Sequence, residues 1–409
     1  MNDPASHPAT PRFAKKREAI IAAATTILNQ QGVKGMTLAD VAASVGLITT
    51  SVTYYFRKKE DLAAACFLSG IARYEAIIAE ALQDATPQAR LYRFLDLYLL
   101  AKARVRRGDE PAFPIFSDVR ALTQPVQGQV GSVYNNLFRH VRRLFLEPGL
   151  DGDMAAKVSA TVRTHLLMEQ LFWAVVWLPR FEIEDYPRIR DRMFDILVNG
   201  VAQPDAAWSP LPLELGVALA DPHAKSRETF LVAATRLINL QGYRGASVEK
   251  ISAQLNVTKG SFYHHNDAKD DLVVACFDRT YEVMRRAQSL AMKLPGNQWT
   301  RLSSAAAGLV DYQLSEQGPL LRTSALSALP GAVRPAMVAQ ANRVSDRFSA
   351  MISDGIAEGS LRAVDPVIAA QMLNATLNAA AELDYWVKGA DRTKAAALYA
   401  RPLLTGVFG

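Results

Sequence analysis

The chain has 409 residues, enough for two to four folded units at roughly 100 to 200 residues each. Lysine plus arginine total 46 against 40 for aspartate plus glutamate, a net +6 with pI near 9.2, and that balance admits a polyanionic partner. Two cysteines exclude a disulfide framework, the opening MNDPASHPATPR lacks the apolar core of a secretory signal, and no apolar run approaches the 18 or so residues that span a bilayer. The expectation is a cytoplasmic protein with no membrane contact.

Residues 1–12 read as a disordered tail. Ile20, Ala23, Ala24, Ile27 and Leu28 recur at three and four spacing and predict a helix over Phe13–Gln30, stopped by Gly32. Thr37 stands as N-cap of a short helix, Leu38–Ser44, because its hydroxyl can accept from an orphan N–H. Gly46 makes a turn, a second short helix follows over about Thr49–Tyr55, and Lys58–Leu82 reads as a long fourth helix. Two short helices joined by a tight glycine turn, behind a longer support, make a helix-turn-helix pattern.

Further on, LLMEQLFWAVVWL (166–178) is apolar nearly all around a helix, broken chiefly by Glu169-Gln170, and such a helix must be buried on several sides. Tyr186–Val201 follows as the last helix before Ala202–Pro222, whose Pro204, Pro210, Pro212 and Pro222 mark a linker. Its 21 residues reach about 70 Å when extended, so it is not expected to restrict docking on either side.

Beyond the linker the chain repeats. Arg17–Phe67 matches Arg227–Phe277 at a constant offset of 210 without a gap, so that Gly32, Gly35, Ser51, Lys59 and Ala65-Cys66-Phe67 return as Gly242, Gly245, Ser261, Lys269 and Ala275-Cys276-Phe277. A period that long is no solenoid but the duplication of a complete unit. No stretch alternates convincingly, so the fold class is all-α: two tandem units, each with a three-helix head at 13–67 or 223–277 and a helical back domain at 68–201 or 278–409. The cysteines fall at equivalent positions with apolar neighbours, as buried small hydrophobes do. His264 and His265 lack a second pair at ligand spacing, so no metal site or cofactor is expected.

Thr37-Leu38-Ala39-Asp40-Val41-Ala42, Val45-Gly46-Leu47, Tyr54-Tyr55-Phe56 and Lys59-Glu60-Asp61-Leu62 resemble the N-terminal signature of the tetracycline-repressor (TetR) family of bacterial regulators. Val248–Leu255, Thr258-Lys259-Gly260-Ser261, Tyr263-His264 and Lys269–Leu272 resemble it again. The resemblance covers about a quarter of the chain. It implies a ligand-responsive transcriptional regulator, a repressor rather than an enzyme, with double-stranded DNA and a small-molecule effector as partners. Family members are about half this length and act as homodimers, so the chain looks like two protomers joined head to tail.

A recognition helix turns its N-terminal residues toward base edges in the major groove while basic side chains and helix ends hold phosphates. The resemblance places Thr49, Thr50, Ser51 and Tyr54 at the reading positions of the first head. Lys259, Gly260, Ser261 and His264 take those positions in the second, where Lys259 either reads guanine or holds a phosphate. Thr37, Lys59, Ser247 and Lys269 are phosphate anchors, with Tyr55 and Tyr263 beside them. Thr53 departs from the family tyrosine, and His265-Asn266 replace an aromatic pair that packs the recognition helix. Because the two heads differ, the expected operator is bipartite and asymmetric.

The back domains imply an interface and a pocket. Phe172, Trp173 and Trp177 against small Ala370, Ala375 and Ala379 of the alanine-rich Val367–Ala381 would suit a covalent pseudo-dimer, with a homodimer of tandem chains as the alternative. The first back domain holds 15 aromatic residues between Leu68 and Val201, the second 8 between Asp278 and Gly409. The effector pocket is therefore expected in the first half, near Phe94, Tyr98, Phe113, Phe116, Phe138 and Phe172, with His165 and Glu169 one helical turn apart to meet a polar group. The alternative for those aromatics is an ordinary core. Two further classes stay open: a small-molecule carrier or enzyme with vestigial heads, and an interaction protein. No phosphate loop, nucleophile motif or HExxH supports the enzyme.

Overall fold

The computed structural model describes residues 10–147, 153–216, 221–246, 248–254, 269–382, 387 and 392–408. Among these the chain is all-α, with fifteen α-helices, no strand, and one isolated antiparallel bridge between Ala202 and Leu361. The first half runs α1 (Pro11–Gly35), α2 (Leu38–Ser44), α3 (Thr49–Tyr55), α4 (Lys59–Ala81), α5 (Pro87–Arg107), α6 (Val126–Arg142), α7 (Met154–Trp177) and α8 (Tyr186–Asn199). The second runs α9 (Pro222–Gly245), α10 (Val248–Gln254), α11 (Lys269–Ala291), α12 (Gln298–Gln313), α13 (Arg334–Ala357), α14 (Pro366–Ala379) and α15 (Arg392–Thr405). A 3-10 turn precedes α6 at Phe116–Ala121 and α13 at Thr323–Ala328, so the repeat extends past the heads into the back domains.

Two compact units arise, and they cut across the repeat. One comprises residues up to Ala76 with Arg104–Leu137, the other Ile77–Ala103 with everything from Phe138 onward. In the first, Ile20, Ala24 and Leu28 of α1 are buried, as the three and four spacing predicts. Gly32, at φ 70° and ψ 176°, breaks the helical path where a stop is expected, and a short helical stretch continues to Gly35. Gly242 does the same in α9 at φ 72°. Helix α4 corrects one expectation: its 23 residues are long and apolar enough, by those measures alone, to cross a bilayer. Here Cys66, Phe67, Ile71 and Tyr74 are buried in protein.

In the second unit the apolar helix α7 is buried by helices from the other half of the chain. It packs on α14 and α15, as α8 does. Gln170 Nε2 donates to the Met372 carbonyl and to Thr376 Oγ1, both at 2.9 Å, and Trp173 Nε1 donates to Gln371 Oε1 at 2.9 Å. Trp173, Trp177, Ala370 and Ala375 are buried and Phe172 is half-buried, while the side chain of Ala379 lies outside the described residues. The ends of α8 and α15 exchange hydrogen bonds: Val201 N–H donates to Leu404 O at 2.9 Å and Val407 N–H to Leu197 O at 2.8 Å. Val201 and Val407 stand 206 residues apart and their acceptors Leu404 and Leu197 correspond to within one residue, so the two contacts are close to reciprocal, as at a two-fold interface. Gly200 (φ 68°) and Gly406 (φ 101°) permit it, since a Cβ on either would collide with the opposing segment, at Leu404 O and Val198 O.

The linker is not a free spacer. Its Ala207 carbonyl accepts from Trp299 Nε1 at 2.9 Å, Trp208 lies edge-on to Trp299, Leu211 N–H donates to Ser304 Oγ at 2.8 Å, and buried Leu215 offers its carbonyl to Arg286. Proline composition reveals only that the segment is not helical; these docked side chains make it a strap along α12. Removing a buried tryptophan costs about 3 to 5 kcal/mol. Trp299→Ala should therefore lower the unfolding free energy by about 3 kcal/mol in a denaturant titration. It should also make residues 203–216 a chymotrypsin target, while the intact protein should resist cleavage there.

Candidate nucleic-acid interface and a buried polar cluster

The first head is built around Val52. That residue of α3 is fully buried with Val41 and Ala42 of α2, and Phe56, 5% exposed, closes the far end beneath the Arg17 guanidinium. Thr37 Oγ1 accepts from Asp40 N–H at 3.1 Å and donates to its carboxylate at 2.7 Å, so the N-cap is formed as the sequence requires. With Val52 pointing inward, the other face of α3 is left to solvent. Thr49 and Thr50 are exposed, Ser51 is half-buried, and Tyr54 is 75% exposed. Tyr55 is half-buried against Phe13, ring centroids 4.6 Å apart, and Tyr54 meets the same ring edge-on at 6.0 Å.

That Phe13 contact brings the start of α1 beside α3, together with exposed Arg12, Lys15 and Lys16. Sequence reasoning missed these three, although the run RFAKKR signals them. Arg57 and Lys58 are exposed at the other end of α3. Lys59 is engaged within the protein, its Nζ donating to the Lys34 carbonyl at 2.8 Å. In the second head Ser247, Lys259, Gly260, Ser261, Tyr263 and His264 lie outside the described residues, as does the side chain of Lys269. The flanking helices keep the repeat's contacts. Cys66 Sγ lies 3.6 Å from Ile21 O and Cys276 Sγ 3.8 Å from Leu231 O, both at the 210-residue offset.

Each half also ties the first helix of its head to a following loop through one asparagine. Asn29 donates to Phe113 O and accepts from Ile115 N–H, both at 2.9 Å; Asn239 donates to Leu320 O at 2.9 Å and accepts from Arg322 N–H at 3.0 Å. Beside each latch is a cavity. One, of about 250 Å³, is lined by Ile21, Thr25, Cys66, Gly70, Arg73 and Pro114; the other, of about 500 Å³, by Glu228, Leu231, Arg279, Arg286, Tyr312 and Gln317 among others.

Neither of these two cavities is lined by Phe94, Tyr98, Phe113, Phe116, Phe138 or Phe172. Phe94 and Tyr98 are fully buried, with Tyr98 Oη donating to Leu171 O at 2.9 Å, and Phe138 is 4% exposed. Phe113 and Phe116 belong to the other unit and pack on Tyr74 at 5.0 and 5.9 Å. Phe94, Tyr98, Phe113 and Phe138 are buried and Phe116 is half-buried; an aromatic count does not distinguish a ring facing a cavity from one facing another ring.

His165 and Glu169 do share a site, with partners the sequence does not announce. The Arg322 guanidinium donates to Glu169 Oε1 at 2.6 Å and also pairs with Glu382 Oε1. His165 Nε2 lies 3.9 Å from Glu169 Oε1 and 3.6 Å from Glu382 Oε2, and its Nδ1 is 2.9 Å from Tyr399 Oη. Burial pushes the Tyr399 phenol well above its ordinary range, so it stands as a neutral hydroxyl.

A family model for bacterial regulatory proteins of the tetR family matches residues 20–66 and again 230–276, the same 210-residue register. The chain is similar to the transposon Tn10 TetC protein of Escherichia coli, 27% identical over 151 residues that make up 37% of this chain and 76% of TetC. It is 37% identical to the HTH-type transcriptional regulator LmrA of Bacillus subtilis strain 168 over 65 residues, 16% of this chain and 35% of LmrA. Among solved structures, the TetR family transcriptional regulator PfmR from Thermus thermophilus aligns with a TM-score of 0.37 at 20% identity, over 43% of this chain and 97% of PfmR. AibR in complex with isovaleryl coenzyme A and operator DNA aligns with a TM-score of 0.36 at 21% identity, over 44% and 97%.

Burial raises both thiols from 9.0 to about 11. Between those values the folded state keeps a proton that the unfolded state has lost, so stability falls as pH rises from about 9 to about 11. Neither thiol should react with Ellman's reagent at pH 8 in the native protein, and both should react once guanidinium unfolds it.

Proposed function

Because the chain is a tandem of two tetR-family units, we propose that it is a ligand-responsive transcriptional repressor of the cytoplasm that binds duplex DNA as a single-chain pseudo-dimer. The observation that carries this reading is the reciprocal packing of α7 and α8 on α14 and α15. Those are faces that a homodimer would present to a second chain, and here they are already covered. The heads are residues 13–67 and 223–277, the back domains 68–201 and 278–409, with 202–222 between them. The protein acts by binding, and catalysis is no part of the proposal.

In the first head Thr49, Thr50, Ser51 and Tyr54 read base edges. Thr methyls meet thymine methyls and hydroxyls bond either base type. Thr37, Tyr55 and Lys59 hold phosphates, Lys59 exchanging the Lys34 carbonyl for one, and Arg12, Lys15, Lys16, Arg57 and Lys58 extend that charge. In the second head Lys259, Gly260, Ser261, Tyr263 and His264 read, and Ser247 and Lys269 anchor. Non-identical heads then select an asymmetric, bipartite operator. A small apolar or amphipathic effector releases the complex by favouring a head spacing that successive major grooves do not match. The cavities beneath the latches, between α1 and α4 and between α9 and α11, suit such a ligand better than the buried aromatics do.

Selection from random duplexes should enrich a two-part site with unlike halves. Light scattering should give one 44.8 kDa chain per duplex. A palindrome bound by two chains would overturn the pseudo-dimer, and no enrichment would favour a carrier with vestigial heads. Thr50→Ala should weaken the selected site by about 1 to 3 kcal/mol and relax one position, whereas Lys58→Gln should weaken all sequences alike and reduce the salt slope by about 1.

A further inference from the structure

We propose that His165, Glu169 and Glu382 form a binding site for one divalent transition-metal ion of the zinc class, seated where α7 meets the C-terminal helices of the second half. The three offer ligand atoms that all lie within 4.8 Å of one another. Their side chains are 3%, 8% and 16% exposed, so the site lies inside the protein rather than on an acidic surface.

Geometry favours a small ion. Ligands about 2.0–2.1 Å from a tetrahedral zinc stand about 3.4 Å apart. The 3.6 and 3.9 Å separations from His165 Nε2 to the two carboxylates exceed hydrogen-bond length and need shifts of only a few tenths of an ångström to meet that value. The donor set favours the same class, since one imidazole nitrogen with two carboxylates suits zinc, cobalt or nickel, while calcium and magnesium take all-oxygen shells.

The surroundings already orient the ligands. Tyr399 Oη contacts His165 Nδ1 at 2.9 Å, which fixes the ring with Nε2 toward the carboxylates, and Arg322 holds Oε1 of both Glu169 and Glu382. Metal-binding histidines are ordinarily held in this way through the second nitrogen, and their carboxylate partners by further hydrogen bonds. Among the described residues this is the one such convergence of His, Cys, Asp and Glu side chains. Arg322 is also the residue whose backbone N–H is held by Asn239 of the second head, so a metal here would sit one residue from that latch. The site itself stands whether or not the heads bind DNA.

The test uses the full-length protein stripped with a chelator and free of DNA. Titration with Zn²⁺ followed by calorimetry should give one site per chain, and Co²⁺ should develop visible ligand-field bands. His165→Gln and Glu382→Gln should each weaken Zn²⁺ binding at least tenfold, while His140→Gln, at an exposed position on α6, should leave it unchanged. No binding, two sites per chain, or undiminished affinity in His165→Gln would overturn the proposal. Should either variant fail to fold, zinc-edge X-ray absorption on the native sequence decides: one imidazole with oxygen donors supports the site, and sulfur or all-oxygen ligation rejects it.

Discussion

A helix as apolar as α7 cannot face water, and the rest of its compact unit follows from how that face is covered. Ala160, Leu166, Leu167, Leu171, Trp173, Ala174 and Trp177 are all buried. At about 25 cal/mol per Å² of apolar surface, leaving several such side chains exposed would cost more than the whole stability of an ordinary domain. The remedy available to a shorter chain is a second molecule. Here the remedy is α14 and α15 of the same molecule, and the strap at 203–216 runs along α12 on the way to them. Polar groups at the seam give the apolar surface a single register, because Gln170 and Trp173 each have a designated acceptor on α14 and would be left unsatisfied by a slip of one turn.

The heads answer a different constraint. They are small and built on few buried residues, so their orientation depends on polar ties to the segments behind them. Asn29 and Asn239 supply the same two hydrogen bonds in both halves, although the loops they hold share little sequence. The arginines that support those loops differ. Arg73 reaches Glu110 and the Pro111 carbonyl from α4, whereas Arg279 stands one turn earlier on α11 and reaches Glu228, Tyr312 and the Pro319 carbonyl. The geometry of the latch was thus kept while its charged support moved, as expected when backbone position is what matters.

Local features were the legible ones. Gly32 as a break, Thr37 as a cap and the burial of α7 each follow from a few neighbouring residues, and the 210-residue register exposed the duplication. Legibility ended where distant residues converge. The spacing of His165 and Glu169 marked one helix face, but Arg322 and Glu382 lie 153 and 213 residues beyond Glu169 and carry no local pattern. Aromatic abundance is ambiguous for a related reason, since Tyr98 and Phe94 look the same in a sequence whether they line a cavity or close one. The linker's prolines excluded a helix and were silent about Trp299, whose ring and N–H hold the strap in place.

At the two-fold axis of a homodimer, a side chain has no choice of neighbour: it meets its own copy, and glutamine must accommodate glutamine. In this chain Gln170 of α7 donates to Thr376 of α14, a hydroxyl that a second copy of α7 would not present there. Joining the halves releases that contact from the demand of self-complementarity. Each position along the seam between α7 and α14 can accordingly be mutated on one side alone. Divergence between the two halves then proceeds without the doubled penalty that a symmetric assembly imposes on each change, and each unlike pair it fixes makes re-pairing with a second identical chain less favourable.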